Sequence, residues 1–217
     1  MSFTIPSKPY LEQKLTFKSN GDIFDEDGRG VMMGWEDSFM HEGAKTICST
    51  QGDVLNIGFG MGIIDNYIQS YNPRTHWIIE AHPQIQEKMC KDGWLKKPHV
   101  RCIFTTWQNV LNYLPKFDGV YIDTYGEATQ DFFSNVHKIL KPNGVLSWFN
   151  NPTLEEDKYP CHEVIYEVLS KRFNMNFREI DIPIIEKNQT NNIDDYYYPL
   201  NAKAHYHPEL TLKQEYK

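Results

Sequence analysis

Gly58, Phe59, Gly60, Met61 and Gly62 form the segment of this chain best suited to chemistry. Glycines at alternate positions directly after an apolar run let backbone approach a ligand closely, and a helix opening behind them leaves N–H groups free to hold it. The spacing is G-x-G-x-G. A dinucleotide fingerprint has its third glycine one position later, where this chain has Ile63, so the pyrophosphate cradle is incomplete. Glu80 follows close to the roughly 20-residue offset at which an acidic side chain accepts both hydrogen bonds of a ribose diol. NAD and S-adenosylmethionine both carry such a diol. Asp123 closes a later apolar run, so three strand ends converge on one crevice. Plainer readings stand beside these: a tight turn without ligand, a charge ending a strand, and a helix N-cap.

The elements that must position these residues follow from periodicity. Val54 to Ile57, His76 to Glu80, Val100 to Phe104, Gly119 to Asp123 and Val145 to Phe149 are short apolar runs. Ile63 to Ser70 and Gln84 to Cys90 between them have helical spacing, and alternating βα units predict a parallel sheet with helices on both faces. Trp35, Phe39, Ala44 and Ile47 predict a helix over Gly34 to Cys48, ahead of the first of these strands. Beyond Asn150 the pattern predicts a helix from Tyr159 to Arg172, a strand around Phe177 to Ile182, and an aromatic tail, Tyr196 to Tyr206, pairing back as an edge strand. The Asn-rich stretch holding Asn188, Gln189 and Thr190 reads as an exposed loop between the last two strands. Residues 1–30, with Pro6, Pro9, Gly21, Gly28 and Gly30, read as an extended arm and a turn, and 31–217 as a single domain.

Composition narrows the partners. The 217 residues are 40% hydrophobic and 24% charged, which is ordinary globular usage. A net charge of −7 opposes a nucleic-acid partner, since phosphate binding needs a basic stripe, and favours a cationic substrate. No run approaches the roughly 18 apolar residues of a membrane helix, and Pro6 and Pro9 stand where a secretory signal would be apolar, so the expected location is cytoplasmic, with the nucleus open. Cys48, Cys90, Cys102 and Cys161 have no metal or disulfide spacing and read as buried thiols. Asp25 and Asp27 lack the third acidic position of a calcium loop before Gly28. His205 and His207 share a face in a strand but lack a Cys or acidic partner at zinc-like spacing, so they read as surface or packing residues and no metal is expected. The oligomeric state is open, a homodimer included.

Four motifs in order carry a resemblance: Val31-Met32-Met33-Gly34-Trp35-Glu36, Leu55 to Ile63, Trp77-Ile78-Ile79-Glu80-Ala81-His82-Pro83, and Tyr121-Ile122-Asp123-Thr124-Tyr125. Together, over about Tyr10 to Asn151, they resemble the fungal-type protein arginine δ-N-methyltransferases and the sister guanidinoacetate N-methyltransferases. Tyr10 to Thr16 and Glu80 to Pro83 are more similar to the arginine family. The resemblance implies a Rossmann-like class I S-adenosylmethionine-dependent methyltransferase, a mostly parallel doubly wound sheet with an antiparallel C-terminal strand. It also implies an arginine-containing protein or a small guanidino compound as substrate. Members of the arginine type often carry a longer, ankyrin-like N-terminal region, so a substrate-docking module is expected to be missing here or supplied by another protein.

By that resemblance, S-adenosylmethionine would lie along Gly58, Phe59, Gly60, Met61, Gly62 and Ile63, with its ribose on Glu80. Its adenine would lie near Ala81, His82, Thr106 and Trp107, with Tyr10 and Asp123 in the same site and Met32 and Met40 closing over it. The guanidino group would be clamped by Glu36 and Asp123, with Tyr125, Asn151 and Pro152 lining the pocket. A guanidinium, protonated to about pH 12.5–13.8, has no lone pair free for attack. Two carboxylates can grip its edges and orient one nitrogen, and a poised carboxylate can take the proton released. Asp123 is assigned as proton acceptor and Glu36 as clamp, with the reversed or shared assignment left open. Without the resemblance, Glu36 is a helix N-terminal acid and the methionines are core packing. Conversion of guanidinoacetate to creatine, a nicotinamide-dependent oxidoreductase and a non-catalytic partner subunit that binds the donor are the competing readings.

Overall fold

A computed structural model describes residues 7–125, 130–150, 163–181 and 205–216. The first segment departs from the expected arm. Strands β1 (Thr16–Phe17), β2 (Ile23–Phe24) and β3 (Gly30–Met32) form a small antiparallel sheet. Ile23 and Phe24 are buried, so this segment folds onto the domain through its own apolar side chains. A short 3₁₀ turn, Gly34–Glu36, then leads into α1 (Asp37–Ile47).

The main sheet is built from β4 (Asp53–Ile57), α2 (Ile63–Ser70), β5 (Thr75–Glu80), α3 (Pro83–Lys91), β6 (Val100–Phe104), α4 (Trp107–Val110), β7 (Phe117–Ile122), α5 (Gln130–Asn135) and β8 (Leu140–Trp148). After them come α6 (Glu163–Arg172), β9 (Phe173–Ile180) and β10 (His205–Leu212). The strand order is β6-β5-β4-β7-β8-β10-β9, parallel from β6 to β8, with β10 antiparallel to both its neighbours. The predicted parallel sheet and antiparallel C-terminal strand are both present.

The predicted edge position of the tail strand is corrected. β10 lies inside the sheet and β9 takes the edge. β10 pairs with β9 along its whole length and with β8 through Leu210 and Thr211, and His205, Tyr206, His207, Pro208, Leu210 and Leu212 are all covered. Of the tail expected from Tyr196 onward, residues 196–204 lie outside the described residues, as do Asn188, Gln189 and Thr190. β9 also starts earlier than predicted, directly after α6.

Side chains alternate across the strands, so each face carries its own core. Leu55, Ile57, Val120, Ile122 and Trp148 meet α5 and α6 through Phe132, Phe133 and Leu169. On the other face, Val54, Ile78 and Tyr121 meet α1, α2 and α3 through Met40, Ala44, Ile47, Ile64, Ile68, Ile85 and Met89. Each fully buried large apolar side chain contributes about 1.5–3 kcal/mol. Gly43 lets α1 lie close on β7, because a Cβ there would come 2.5 Å from the Tyr121 ring. That close approach carries the N-terminus of α1, and Glu36 with it, to the carboxyl edge of the sheet.

Candidate active site

The site begins where β4 ends. Gly58 has φ +93°, and a Cβ on it would stand 1.9 Å from the Asp123 carbonyl oxygen. Only glycine fits there, and the tight approach joins the glycine loop to the end of β7. The Gly58 N–H donates to the Ile79 carbonyl and the Asp123 N–H to the Ile57 carbonyl, each at 2.9 Å. The ends of β5, β4 and β7 are therefore stitched side by side, with Ile63 opening α2 behind the loop.

Glu80 is buried at the end of β5. Its Oε2 accepts the Phe59 N–H at 2.8 Å and its Oε1 accepts the His82 N–H at 2.7 Å. Burial raises its carboxyl above the ordinary range, and backbone donors from His82, Phe59, Gly60 and Ala81 oppose that rise. An acid so placed ties the glycine loop to the next strand turn and remains an acceptor.

Glu36 and Asp123 come from distant parts of the chain, and both act electrostatically on one side chain, Tyr121. Asp123 follows Tyr121 by two positions and so shares its face of the sheet. Burial pushes the Asp123 carboxyl from 3.8 up to about 7. Glu36 is fully buried at the head of α1, its Oε1 accepting the Met33 N–H at 2.7 Å. Tyr121 lies against α1, its hydroxyl 3.8 Å from the Met40 sulfur. Burial, then the charges of Asp123 and Glu36, raise that hydroxyl far above its ordinary value, so it stays protonated. Both carboxylates that the resemblance paired thus act electrostatically on Tyr121.

The N-terminal segment closes one side of the crevice. Tyr10 stands 4.9 Å from the His82 ring and 5.0 Å from the Tyr125 ring. Its hydroxyl is raised by burial and then by Glu80, Tyr125, Asp123 and Asp25, which places it among the site's acids. The Tyr125 hydroxyl donates to Asp25 Oδ2 at 3.0 Å, and Asp25 Oδ1 accepts the Arg29 N–H at 2.8 Å. His82 accepts the Gln84 N–H on Nδ1 and lies 3.1 Å from the Gln13 carbonyl through Nε2, which stitches the segment to α3. Burial lowers its pKa. Met32 covers Gly60, its Cγ 3.1 Å from where a Cβ would stand, and Met61 does the same for Gly21 at 2.8 Å.

Other expected site residues are placed more deeply. Met40 is fully buried beneath Tyr121, in the core between α1 and β7. Thr106 precedes α4, and Trp107 packs edge-on to Phe132 at 5.2 Å in the core of the opposite face. Ala81 presents its carbonyl to Gln86 Nε2 at 3.0 Å. Asn151 and Pro152 lie outside the described residues. Sequence reasoning did not single out the wall beside Glu36, where Trp35, Phe39, Phe149 and His205 gather, with His205 stacked on Phe39 at 4.1 Å. The period-two pattern of β8 and the start of β10 was the available signal. His205 and His207 are buried, and burial holds both imidazoles low, at about 3 and about 4. They are packing histidines. Among the described residues no three His, Cys, Asp or Glu side chains are grouped to hold a metal, and no helix is long and apolar enough to cross a membrane.

Residues 8–203 match the family model described as guanidinoacetate N-methyltransferase. The chain belongs to the guanidinoacetate N-methyltransferase family. That membership separates it from the nicotinamide-dependent oxidoreductases of similar plan. Among curated relatives, Protein arginine N-methyltransferase 2 of Yarrowia lipolytica is 40% identical over 197 residues, which is 83% of this chain and 40% of the relative. Its namesake in Saccharomyces cerevisiae is 35% identical over 220 residues, 94% of this chain and 52% of the relative. The chain spans about half the length of the curated relatives it matches. Among solved structures, spermidine synthase from Thermotoga maritima superposes with a TM-score of 0.66 at 15% identity, covering 93% of this chain and 69% of that one. M. jannaschii TYW2 in complex with AdoMet gives 0.58 at 16% identity, covering 97% and 89%. This family member has the class I methyltransferase fold.

Proposed function

We propose that this chain transfers a methyl group from S-adenosylmethionine to a guanidino nitrogen of arginine in a protein, the δ nitrogen by preference. The observation that supports this reading is that Asp123 and Glu36 both act on the Tyr121 hydroxyl, with the Asp123 backbone against the glycine loop at Gly58. A planar cation offers donors along its edges, and two acids from different elements match it. The names of the curated relatives support arginine over guanidinoacetate.

The residues fit the donor. Gly58 lets the glycine loop lie directly against the end of β7, and Glu80 presents a buried acceptor suited to a ribose diol. Gly60, Phe59 and Met32 would flank the sulfur-bearing chain, and Tyr10 and His82 the far side. When bound, S-adenosylmethionine supplies a sulfonium-activated methyl group and leaves as S-adenosylhomocysteine.

This chain's own groups then have two tasks. Glu36, held by the Met33 N–H, keeps a fixed carboxylate against one edge of the guanidinium. Asp123, with a carboxyl near pH 7, ionises readily once a cation sits beside it and can accept the proton that the substituted nitrogen must lose. The aromatic wall of Trp35 and Phe149 offers an apolar face to the aliphatic stem of arginine. The proposal includes a cytoplasmic or nuclear location and a homodimer.

Radiolabelled S-adenosylmethionine, mixed with arginine peptides, candidate proteins and guanidinoacetate, tests the reading. Label should reach an arginine acceptor and be lost in Glu36→Gln. Transfer undiminished in that variant removes the clamp. Preferential labelling of guanidinoacetate, with arginine peptides failing to compete, establishes the alternative small-molecule reaction. Donor binding without turnover on any guanidino acceptor establishes the non-catalytic partner.

A further inference from the structure

Behind the glycine loop runs a buried polar chain that the proposed chemistry does not use. Asn56 on β4, Asp65 in the first turn of α2 and His76 on β5 are each fully buried. Asn56 Nδ2 donates to both Asp65 carboxylate oxygens at 3.0 Å and to the Gly58 carbonyl at 2.8 Å. Acceptors on every side of that nitrogen fix the amide's orientation. Its Oδ1 has no hydrogen-bond partner, so the side chain serves only as a donor. Gln69 Nε2 lies 2.9 Å from His76 Nδ1, and His76 Nε2 lies 3.0 Å from Asp65 Oδ1. An amide N–H from Gln69 leaves the imidazole proton on Nε2, directed at Asp65.

Burying such a chain is unfavourable compared with apolar side chains of the same size, so its effect must lie elsewhere. It converges on one peptide unit. The Gly58 carbonyl and the Phe59 N–H belong to the same rigid plane and point in opposite directions. Asn56 holds the carbonyl end, and Glu80 Oε2 holds the N–H end at 2.8 Å. With φ +93° at Gly58, the backbone here has the freedom of glycine, and rotation of that plane is the low-energy alternative. A flipped plane would aim a carbonyl at Glu80 and repel it.

We propose that Asn56, oriented by Asp65, is a positioning residue for the donor site: it locks the Gly58–Phe59 peptide and thereby sets the Glu80 carboxylate for the ribose. This rests on the methyl-donor reading above. The role is separable from plain stability, because it acts through Glu80.

Calorimetric titration with S-adenosylhomocysteine well below the melting temperature tests it on wild type, Asn56→Leu, Glu80→Gln and the double variant. Asn56→Leu should weaken binding about tenfold while the acceptor KM stays within twofold, and in the Glu80→Gln background the same change should matter less than twofold. If Asn56→Leu does not fold, Asp65→Asn, which keeps an acceptor for Asn56, should give about a threefold loss with the same dependence on Glu80. A lowered melting temperature with unchanged affinity, or equal losses with and without the Glu80 carboxylate, overturns the positioning role. Absence of binding by wild type overturns the donor reading itself, and this role with it.

Discussion

Replacing Asp123 with asparagine should remove catalysis and make the protein more stable at alkaline pH. The carboxyl is pushed from 3.8 to about 7 by burial, so the folded protein holds this proton more tightly than the unfolded chain does. Its contribution favours folding fully below about pH 4 and is lost as pH rises through about 7. At 1.36 kcal/mol per pH unit, keeping the charge buried at pH 8 costs at most about 4 kcal/mol. The side chain is partly open to the crevice, and solvent screening reduces this to about 2 kcal/mol. For a chain of this size that is about 4–8 °C in melting temperature. Thermal unfolding followed by circular dichroism at pH 5, 6, 7 and 8 should show Asp123→Asn gaining on wild type as pH rises from 5 to 7 and levelling off by pH 8, the gap at pH 5 being about a third of that at pH 8. A variant less stable than wild type at pH 8, or a gap independent of pH, would refute the claim that folding disfavours the charged form of Asp123.

Three further outcomes follow from the geometry. Glu36→Gln keeps an oxygen for the Met33 N–H, so its melting temperature should stay within about 3 °C of wild type while kcat/KM falls at least about 100-fold, read by label transfer. Gly58→Ala places a Cβ 1.9 Å from the Asp123 carbonyl at positive φ and should destabilise by about 3 kcal/mol or more, seen as a lowered urea midpoint and loss of S-adenosylhomocysteine binding. At the amino edge of the sheet, Arg74, Lys141 and Thr75 hold the Asp53 carboxyl well below its ordinary range. That contribution is fully present above about pH 4 and declines as pH falls below it, so Asp53→Asn should lower the melting temperature at pH 7, with the gap narrowing steadily toward pH 2.

Much of this architecture is written in short-range pattern. The apolar runs and helical stretches of the first 150 residues became β4 to β8 and their helices because each run's periodicity suffices to choose strand or helix. Glu80 was legible for the same reason, as the acid that ends a strand at a set distance from a glycine turn. The errors fell where pattern is ambiguous. Residues 7–32 contain strands of two or three residues, too short to show an alternation, and an interior strand such as β10 cannot be told from an edge strand without knowing its neighbours.

The amino-acid sequence by itself determined the parallel plan, the glycine turn and the identity of the acids, since propensity, periodicity and backbone sterics act within a few residues. Only the tertiary structure decided that Glu36 and Asp123 both act on the Tyr121 hydroxyl, that Tyr10 packs against His82 and Tyr125, and that Asn56 and Glu80 grip one peptide from opposite ends. Those facts depend on contacts between segments far apart in the chain and on how much water each carboxylate loses when they close. Desolvation is a property of the assembled surroundings, and it turns an ordinary aspartate into one that titrates near neutrality.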